Sequence, residues 1–341
     1  ITDGIPICTE MGDQKSVQIV SDAHGGFIAV WQDQRAGNWD IYARRIDEIG
    51  RSVWGDGDLA VCMAAGDQFD PRAVTDGSGG IYVVWTDARS GQDIYGQRVF
   101  VDGTIQWAEN GSVVCNAANF QVGARIVADG VGGAVTVWAD SRTFSRDIYA
   151  QRFDETGSMA WTGNGIPVCT ESYDQKFPEL AILPHSDPGS IRVAIVWEDY
   201  RVSALSGSSI FAQRLTLSGV VQWASNGVPI STSPGNQTRP RVVSSFDGAT
   251  IYIWEDDSQG PDLGDSRIYL EKLDKYGTVE WDDTWGPGFA PRVEPVPGGG
   301  MLIVHDLYNT AENKSVTSSQ RFLGTGHIAP NWPASGVELY Y

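Results

Sequence analysis

Three charged sets recur at matched spacing: Asp33/Arg35/Asp40, Asp87/Arg89/Asp93 and Asp140/Arg142/Asp147. A looser fourth keeps Asp199 and Arg201. A guanidinium between two carboxylates can tie a loop to a strand by paired hydrogen bonds. The same carboxylates could supply part of the roughly six to eight oxygens that calcium takes. A repeated set that holds each unit together is the expectation, with one calcium or sugar site per unit as the alternative. A second group departs from the pattern. Asp256 and Asp257 lead into a loop with Asp262 and Asp265, and later His305 sits beside Asp306, with Tyr308 where the arginine should be. These seven residues are the candidate ligand-binding set. Hydrolysis of a glycoside needs two carboxylates across a sugar, and spacing alone assigns no catalytic residue.

The other reactive side chains point to structure. Cys8, Cys62, Cys115 and Cys169 occupy one slot of successive repeats. Equivalent points on neighbouring units should lie beyond the Cα separation of about 7 Å that a disulfide tolerates, so buried free thiols are expected. There is no Cys-x-x-Cys and hence no zinc motif. The histidines His24, His185, His305 and His327 fall at unrelated positions, and no Ser-His-Asp set assembles.

What must position these residues is a repeat. Val84-Trp85-Thr86-Asp87-Ala88-Arg89, followed by Asp93-Ile94-Tyr95-Gly96-Gln97-Arg98, is one copy. Others start at Trp31, Trp138, Trp197 and Trp254, and the most worn at Val304. Each continues to a fixed glycine (Gly50, Gly103, Gly157, Gly219, Gly277, Gly326) and a second tryptophan (Trp54, Trp107, Trp161, Trp223, Trp281, Trp332). Eight residues later comes Cys62, Cys115, Cys169, Ser231, Phe289 or Tyr340. A glutamine recurs beyond that slot, at Gln14, Gln68, Gln121, Gln175 and Gln237, and is expected to cap backbone groups. Asp-Gly and Gly-Gly turns supply the positive φ of tight hairpins. Each unit reads as four short strands, the fourth holding the second tryptophan. Both tryptophan series are expected to pack units together.

Four strands per unit with this period predict an all-β fold, a six-bladed β-propeller of four-stranded antiparallel blades. It is read as a single domain over 1–341. Repeat cores lie near 16–62, 69–115, 122–169, 176–231, 238–289 and 290–341, with 1–15 and the C-terminal segment closing the ring. Gly4-Ile5-Pro6-Ile7-Cys8 matches Gly165-Ile166-Pro167-Val168-Cys169, so the end-of-unit segment occurs once more often than the core. That spare copy closes the ring, or docks on another molecule by strand addition. Insertions gather between the second and third strands of units four, five and six, and unit four has another around Pro184–Pro188. Long loops on a rigid scaffold are where binding concentrates.

A net charge of −19 argues against a nucleic-acid partner. No apolar run approaches the length of a bilayer span. The start at Ile1 without a signal pattern reads as a mature or trimmed product.

The pattern Trp-x-Asp-x-Arg, Asp-Ile-Tyr-Ala-Gln-Arg, Asp-x-x-Gly, Trp and Gly-Ile-Pro-Val-Cys resembles the propeller repeats of large secreted or surface-attached bacterial proteins. The resemblance covers nearly the whole chain, strongly in units one to three. It implies a propeller and an extracellular or cell-surface address, and little chemistry. The sialidase box Ser-x-Asp-x-Gly-x-x-Trp and the WD40 signature are both missing. The expected function is a non-catalytic extracellular binding, adhesion or assembly module. Its partner would be a glycan or a protein at the cell surface, met by the long loops of units four to six. No cofactor is expected beyond a possible calcium. One alternative is a carbohydrate-active enzyme, a glycoside hydrolase or lyase-like propeller. The other is a self-assembling layer or filament subunit that uses a terminal strand.

Overall fold

The computed structural model describes residues 4–185, 187–201, 207–245, 247–258, 266–296, 300–309, 314–333 and 336–339. Strands dominate, and one short 3-10 turn, Pro188–Ser190, is the helical element among the described residues. The strands form six four-stranded sheets, each antiparallel and each in chain order. The first sheet is Gln14–Ser21, Phe27–Asp33, Asp40–Ile46 and Leu59–Cys62. The second is Gln68–Thr75, Ile81–Asp87, Asp93–Val99 and Ser112–Cys115. The third is Gln121–Ala128, Gly133–Asp140, Asp147–Asp154 and Ile166–Cys169. The fourth is Gln175–Leu183, Arg192–Asp199, Ser209–Thr216 and Val228–Ser231. The fifth is Gln237–Ser244, Thr250–Asp256, Arg267–Leu273 and Val279–Pro287. The sixth is Phe289–Pro295, Gly300–Asn309, Lys314–Leu323 and Val337–Leu339. The chain divides into two compact units, residues 1–167 and 168–341.

The second strand of the first five sheets is buried on both faces, as in Ile81–Asp87, so it reads as an apolar run, whereas residues 300–307 in the sixth alternate. The first strand of each sheet carries a bulge, as between Phe69 and Arg72. Its pivot takes positive φ even where it is not glycine, as at Asp70 (55°) and Arg239 (52°).

Two expectations about the fourth strand change. The second tryptophan does not lie on it in the first four sheets, where the strand is the short run ending at Cys62, Cys115, Cys169 or Ser231. Trp107 lies before that strand, in the turn that follows the isolated Val99–Ile105 bridge. Only in the fifth sheet does a long strand, Val279–Pro287, absorb Trp281. Phe289 is also not in the cysteine slot. It pairs with Asp306, in the register that Gln68 holds opposite Asp87, and Gly286 stands opposite Ile268 where Cys115 stands opposite Ile94.

The second tryptophan joins sheets. Trp54 Nε1 donates to Val101 O at 3.0 Å and Trp107 Nε1 to Glu155 O at 3.2 Å. The fixed glycine of the following sheet lets the ring approach, since a Cβ on Gly157 would meet Trp107 at 2.9 Å. The repeated glutamines do cap carbonyls at the start of their strand, as when Gln68 Nε2 donates to Gly66 O and Gln121 Nε2 to Ala118 O, both 3.1 Å.

The first tryptophan is covered by an Asn-Gly turn. A Cβ on Gly165 (φ +83°) would meet the Trp138 ring at 2.5 Å. Left-handed backbone and overpacking both penalise a side chain there. Gly165→Ala should cost on the order of 3 kcal/mol, read as a lowered denaturant midpoint with unchanged slope.

Candidate functional site

In sheets two, three and four, one side-chain cluster is built in the same way. Asp87 is fully buried and accepts from Trp85 Nε1 at 2.9 Å. Arg89 forks onto it, with Nε to Oδ1 at 2.8 Å and Nη2 to Oδ2 at 2.6 Å. The guanidinium lies over the Tyr95 ring, 4.0 Å from its centroid. Its Nη2 also reaches Asn110 O at 2.7 Å and the Cys62 sulfur of the preceding sheet at 3.4 Å. Asp140, Arg142, Trp138, Tyr149, Asn164 and Cys115 repeat this. So do Asp199, Arg201, Trp197, Phe211, Asn226 and Cys169.

The expected Asp–Arg–Asp bridge is therefore corrected. The arginine serves only the first aspartate. Asp40 pairs instead with Asn38, Asp93 with Ser90 and Asp147 with Thr143. Burial raises the pKa of all three carboxyls. Both oxygens of Asp33, Asp87, Asp140 and Asp199 are occupied by arginine, so these sets offer calcium no ready lone pairs. Among the described residues, no three His, Cys, Asp or Glu side chains stand together as a metal site.

The four thiols are free, as expected, though Cys8 is only half-buried. Burial pushes Cys62, Cys115 and Cys169 up to about 12, far from the reactive thiolate range. The spare N-terminal copy is used within its own unit. Cys8 meets Arg35 Nη2 at 3.1 Å, and Ile7 and Cys8 pack on the Trp31–Tyr42 cluster. Asp33 shows the electrostatic result. Burial would raise its carboxyl, but hydrogen bonds from Arg35 and Trp31 outweigh that and bring it down to about 2.

The fifth sheet breaks this cluster at several points. Ser231 replaces the cysteine, Ser258 the arginine, and Thr284-Trp285 the Asn-Gly turn. Glu271 replaces the glutamine of the third strand. In its sisters, Gln97 Nε2 donates to Ala108 O and its Oε1 accepts from Trp107 N and Arg98 N. With the turn replaced by strand, Glu271 instead stands directly opposite Asp282. A cleft of about 350 Å³ opens, lined by Ser231, Trp254, Asp256, Tyr269, Glu271 and Asp282 among others. Trp254 is 4% exposed, yet its indole nitrogen has no partner, whereas its sisters donate to the aspartate. Tyr269 stacks on Trp254 with centroids 5.7 Å apart and carries no guanidinium on its face. Burial, then repulsion from Asp282, raises Glu271 to about 7. A carboxyl that titrates near neutrality beside other carboxylates and a partly exposed tyrosine ring is equipped for acid–base work on a sugar.

Of the candidates read from sequence, Asp256 lies in this cleft. Asp257 does not, because it holds the Asn236 backbone and amide. Asp262 and Asp265 lie outside the described residues, as do the inserted segments 202–206 and 310–313. His305 belongs to the sixth sheet, is 3% exposed, and lies edge-on to Trp285 at 4.0 Å. Burial lowers it to about 4, so it is neutral at physiological pH. Asp306 accepts from Thr317 Oγ1, and Tyr308 is paired along the backbone with Ser315. Glu271, Asp282 and Tyr269 were missed. The signal for Glu271 was a Glu in the Ile-Tyr-x-Gln-Arg strand where the second, third, fourth and sixth copies have Gln and the first has Arg44.

No family model matches the chain, and no curated protein does. Solved structures do resemble it. The α-L-arabinofuranosidase of Fusarium graminearum, solved with arabinobiose, is 13% identical over 76% of this chain and 78% of its own, with a TM-score of 0.50. The α-L-arabinanase of Penicillium chrysogenum is 14% identical over 94% and 95%, with a TM-score of 0.45. A neuraminidase-like protein of a flat-faced bat influenza virus from Peru is 12% identical over 94% and 90%, at 0.48. These neighbours are β-propeller glycosidases and sialidase-like proteins. At such identities the likeness speaks for the fold, and the chemistry rests on the cleft. The expectation of a non-catalytic binding or assembly module is corrected: the solved structures that resemble the chain include an α-L-arabinofuranosidase, and the fifth sheet holds a cleft lined by carboxylates. Among the described residues no helix is long and apolar enough to cross a membrane.

Proposed function

We propose that this chain is a carbohydrate-active enzyme, a glycoside hydrolase acting outside the cell, with its six sheets as the blades of one propeller. The observation that carries the proposal is the altered fifth cluster, where the cleft is lined by Asp256, Glu271 and Asp282. Tyr269, stacked on the buried Trp254, offers the face on which a sugar ring stacks. The hydroxyls of Ser231, Thr232 and Ser233 stand at the same cleft to meet sugar hydroxyls. Glu271 is the proton donor to the departing glycosidic oxygen, and burial, helped by the Asp282 charge, keeps the proton on it. Asp256 is the second carboxylate of the pair that glycoside hydrolysis needs. An extracellular address suits the buried thiols, since groups held near 12 resist oxidation.

The experiment is release of reducing ends from a panel of arabinan, xylan, pectic and sialylated glycans. No release from any member would sink the reading. A second expectation follows from the repeat. Ser258→Arg should restore the guanidinium over Tyr269 and fill the cleft. Activity should fall at least tenfold while stability holds or rises. Unchanged turnover in that variant would show that the cleft is not where the substrate goes.

A further inference from the structure

A second cleft lies on the fourth and fifth sheets, away from Glu271, and its charge runs against that of the whole chain. It measures about 600 Å³ and is lined by Arg192, Arg214, Trp223, Lys275 and Tyr276, among others. In the first three sheets the arginine that ends the third strand is neutralised by the aspartate of the first hairpin turn. Arg45 meets Asp22 at 2.9 Å, Arg98 meets Asp76 at 2.9 Å, and Arg152 meets Asp129 at 2.7 Å. In the fourth sheet the insertion around Pro184–Ser190 has replaced that turn. Its one acid, Asp187, is bound by Gly189 N and Ser190 Oγ.

Arg214 is therefore 8% exposed, faces the cleft, and has no carboxylate partner among the described residues. Its guanidinium makes one 3.3 Å bond, to Gly248 O. A buried charge without a counter-charge is costly, and a bound anion would relieve that cost. Arg192 adds a second guanidinium that bonds only backbone oxygens of its own turn. Trp223, like Trp281 in the next sheet, departs from the first sheets in the same direction. Trp54 and Trp107 donate their indole N–H to carbonyls, whereas Trp223 Nε1 has no acceptor. The one acid in the cleft, Asp247, is already held by Lys272.

We infer that this cleft binds a carboxylate-bearing saccharide, a uronate unit of an acidic glycan. Arg214 and Arg192 present forks that match a carboxylate. Trp223 and Tyr276 present rings to the sugar. The inference does not depend on the fifth-sheet cleft being catalytic. It would give a hydrolase a preference for acidic chains, despite a net charge of −19 that repels them from most of the surface.

The test is calorimetric titration of the intact chain with a galacturonate trisaccharide and with a neutral arabinose trisaccharide. The uronate should bind at least tenfold more tightly. Arg192→Gln, at a turn and without an ion pair to lose, should weaken it at least tenfold. Arg214→Lys, which keeps the charge and loses the fork, should do the same with an unchanged melting midpoint. Glu271→Gln should leave it unaltered, which separates this site from the proposed catalytic one. Equal binding of the neutral sugar, equal displacement by inorganic sulfate, or full affinity in Arg192→Gln would overturn the assignment.

Discussion

Glu271→Gln should abolish most glycan turnover, by about 100- to 10,000-fold, the range a positioned proton donor contributes. The substitution is unusually clean. Glutamine is the residue that the second, third, fourth and sixth sheets carry at this position: Gln97, Gln151, Gln213 and Gln320. Loss of activity cannot then be laid to loss of fold. The pH profile gives a second readout. Glu271 acts as a donor only while protonated, so wild-type activity should decline as pH rises through about 7. Stability should move in the same sense as activity. The folded carboxyl titrates near 7 and the unfolded one near 4.5. Between those values the folded state binds the extra proton, so wild-type stability falls as pH rises through the window. The amide variant has no such loss. It should melt above wild type at pH 8, and the gap should close by pH 4. A variant that retains full activity, or that melts with wild type at pH 8, would show that Glu271 is neither the acid nor under strain.

The second large effect is on stability. Asp140→Ala should destabilise the chain by about 3–5 kcal/mol, the usual result of removing one member of a buried ion pair. The carboxylate is fully buried and accepts from Trp138 Nε1 and from Arg142 N, Nε and Nη2 within 2.9 Å. Without it, a guanidinium and an indole N–H lose their acceptors together. Asp140→Asn keeps the acceptor oxygen for the indole and should cost markedly less. Asp256→Ala, at the equivalent position of the fifth sheet, should cost the least, because no arginine depends on it. A urea titration of the three variants orders them. Equal losses at Asp140 and Asp256 would mean that the arginine adds nothing.

The repeat was legible because it is written in residues whose roles are local. Trp-x-Asp-x-Arg and the Asp-Gly turns mark strands and hairpins whatever their neighbours do, and the sheets begin and end close to where these signals place them. Roles that depend on another sheet were harder to read. Cys62 and Asn110 gain meaning only when both close on Arg89, and they stand 27 and 21 residues from it in opposite directions. The spacing rule that placed Phe289 in the cysteine slot failed because the fifth sheet had exchanged a turn for continuous strand, shifting the register beyond it. The same exchange hid the site. Attention went to acids gathered in loops, Asp257, Asp262 and Asp265, whereas the informative change was one glutamine turned to glutamate inside a strand.

The cysteine–arginine contact also sets how the molecule comes apart. It ties the last strand of one sheet to the second strand of the next, so through the fourth sheet opening one sheet pulls on its neighbour. In arrays of this kind cooperativity travels through such nearest-neighbour couplings. Between the fourth and fifth sheets that contact is replaced: Ser231 and Ser258 stand where Cys and Arg would, and the sheets are joined instead by Arg241 on Glu179 at 3.2 Å and by Arg239 N on Glu198 at 2.9 Å. The Ser258 amide, which keeps its bond to Asp256 but has no guanidinium bracing its loop, should then exchange faster than the Arg89 and Arg142 amides, by openings smaller than global unfolding. A substrate that bridged the two sheets would slow that exchange and take over the mechanical role that the lost arginine once had.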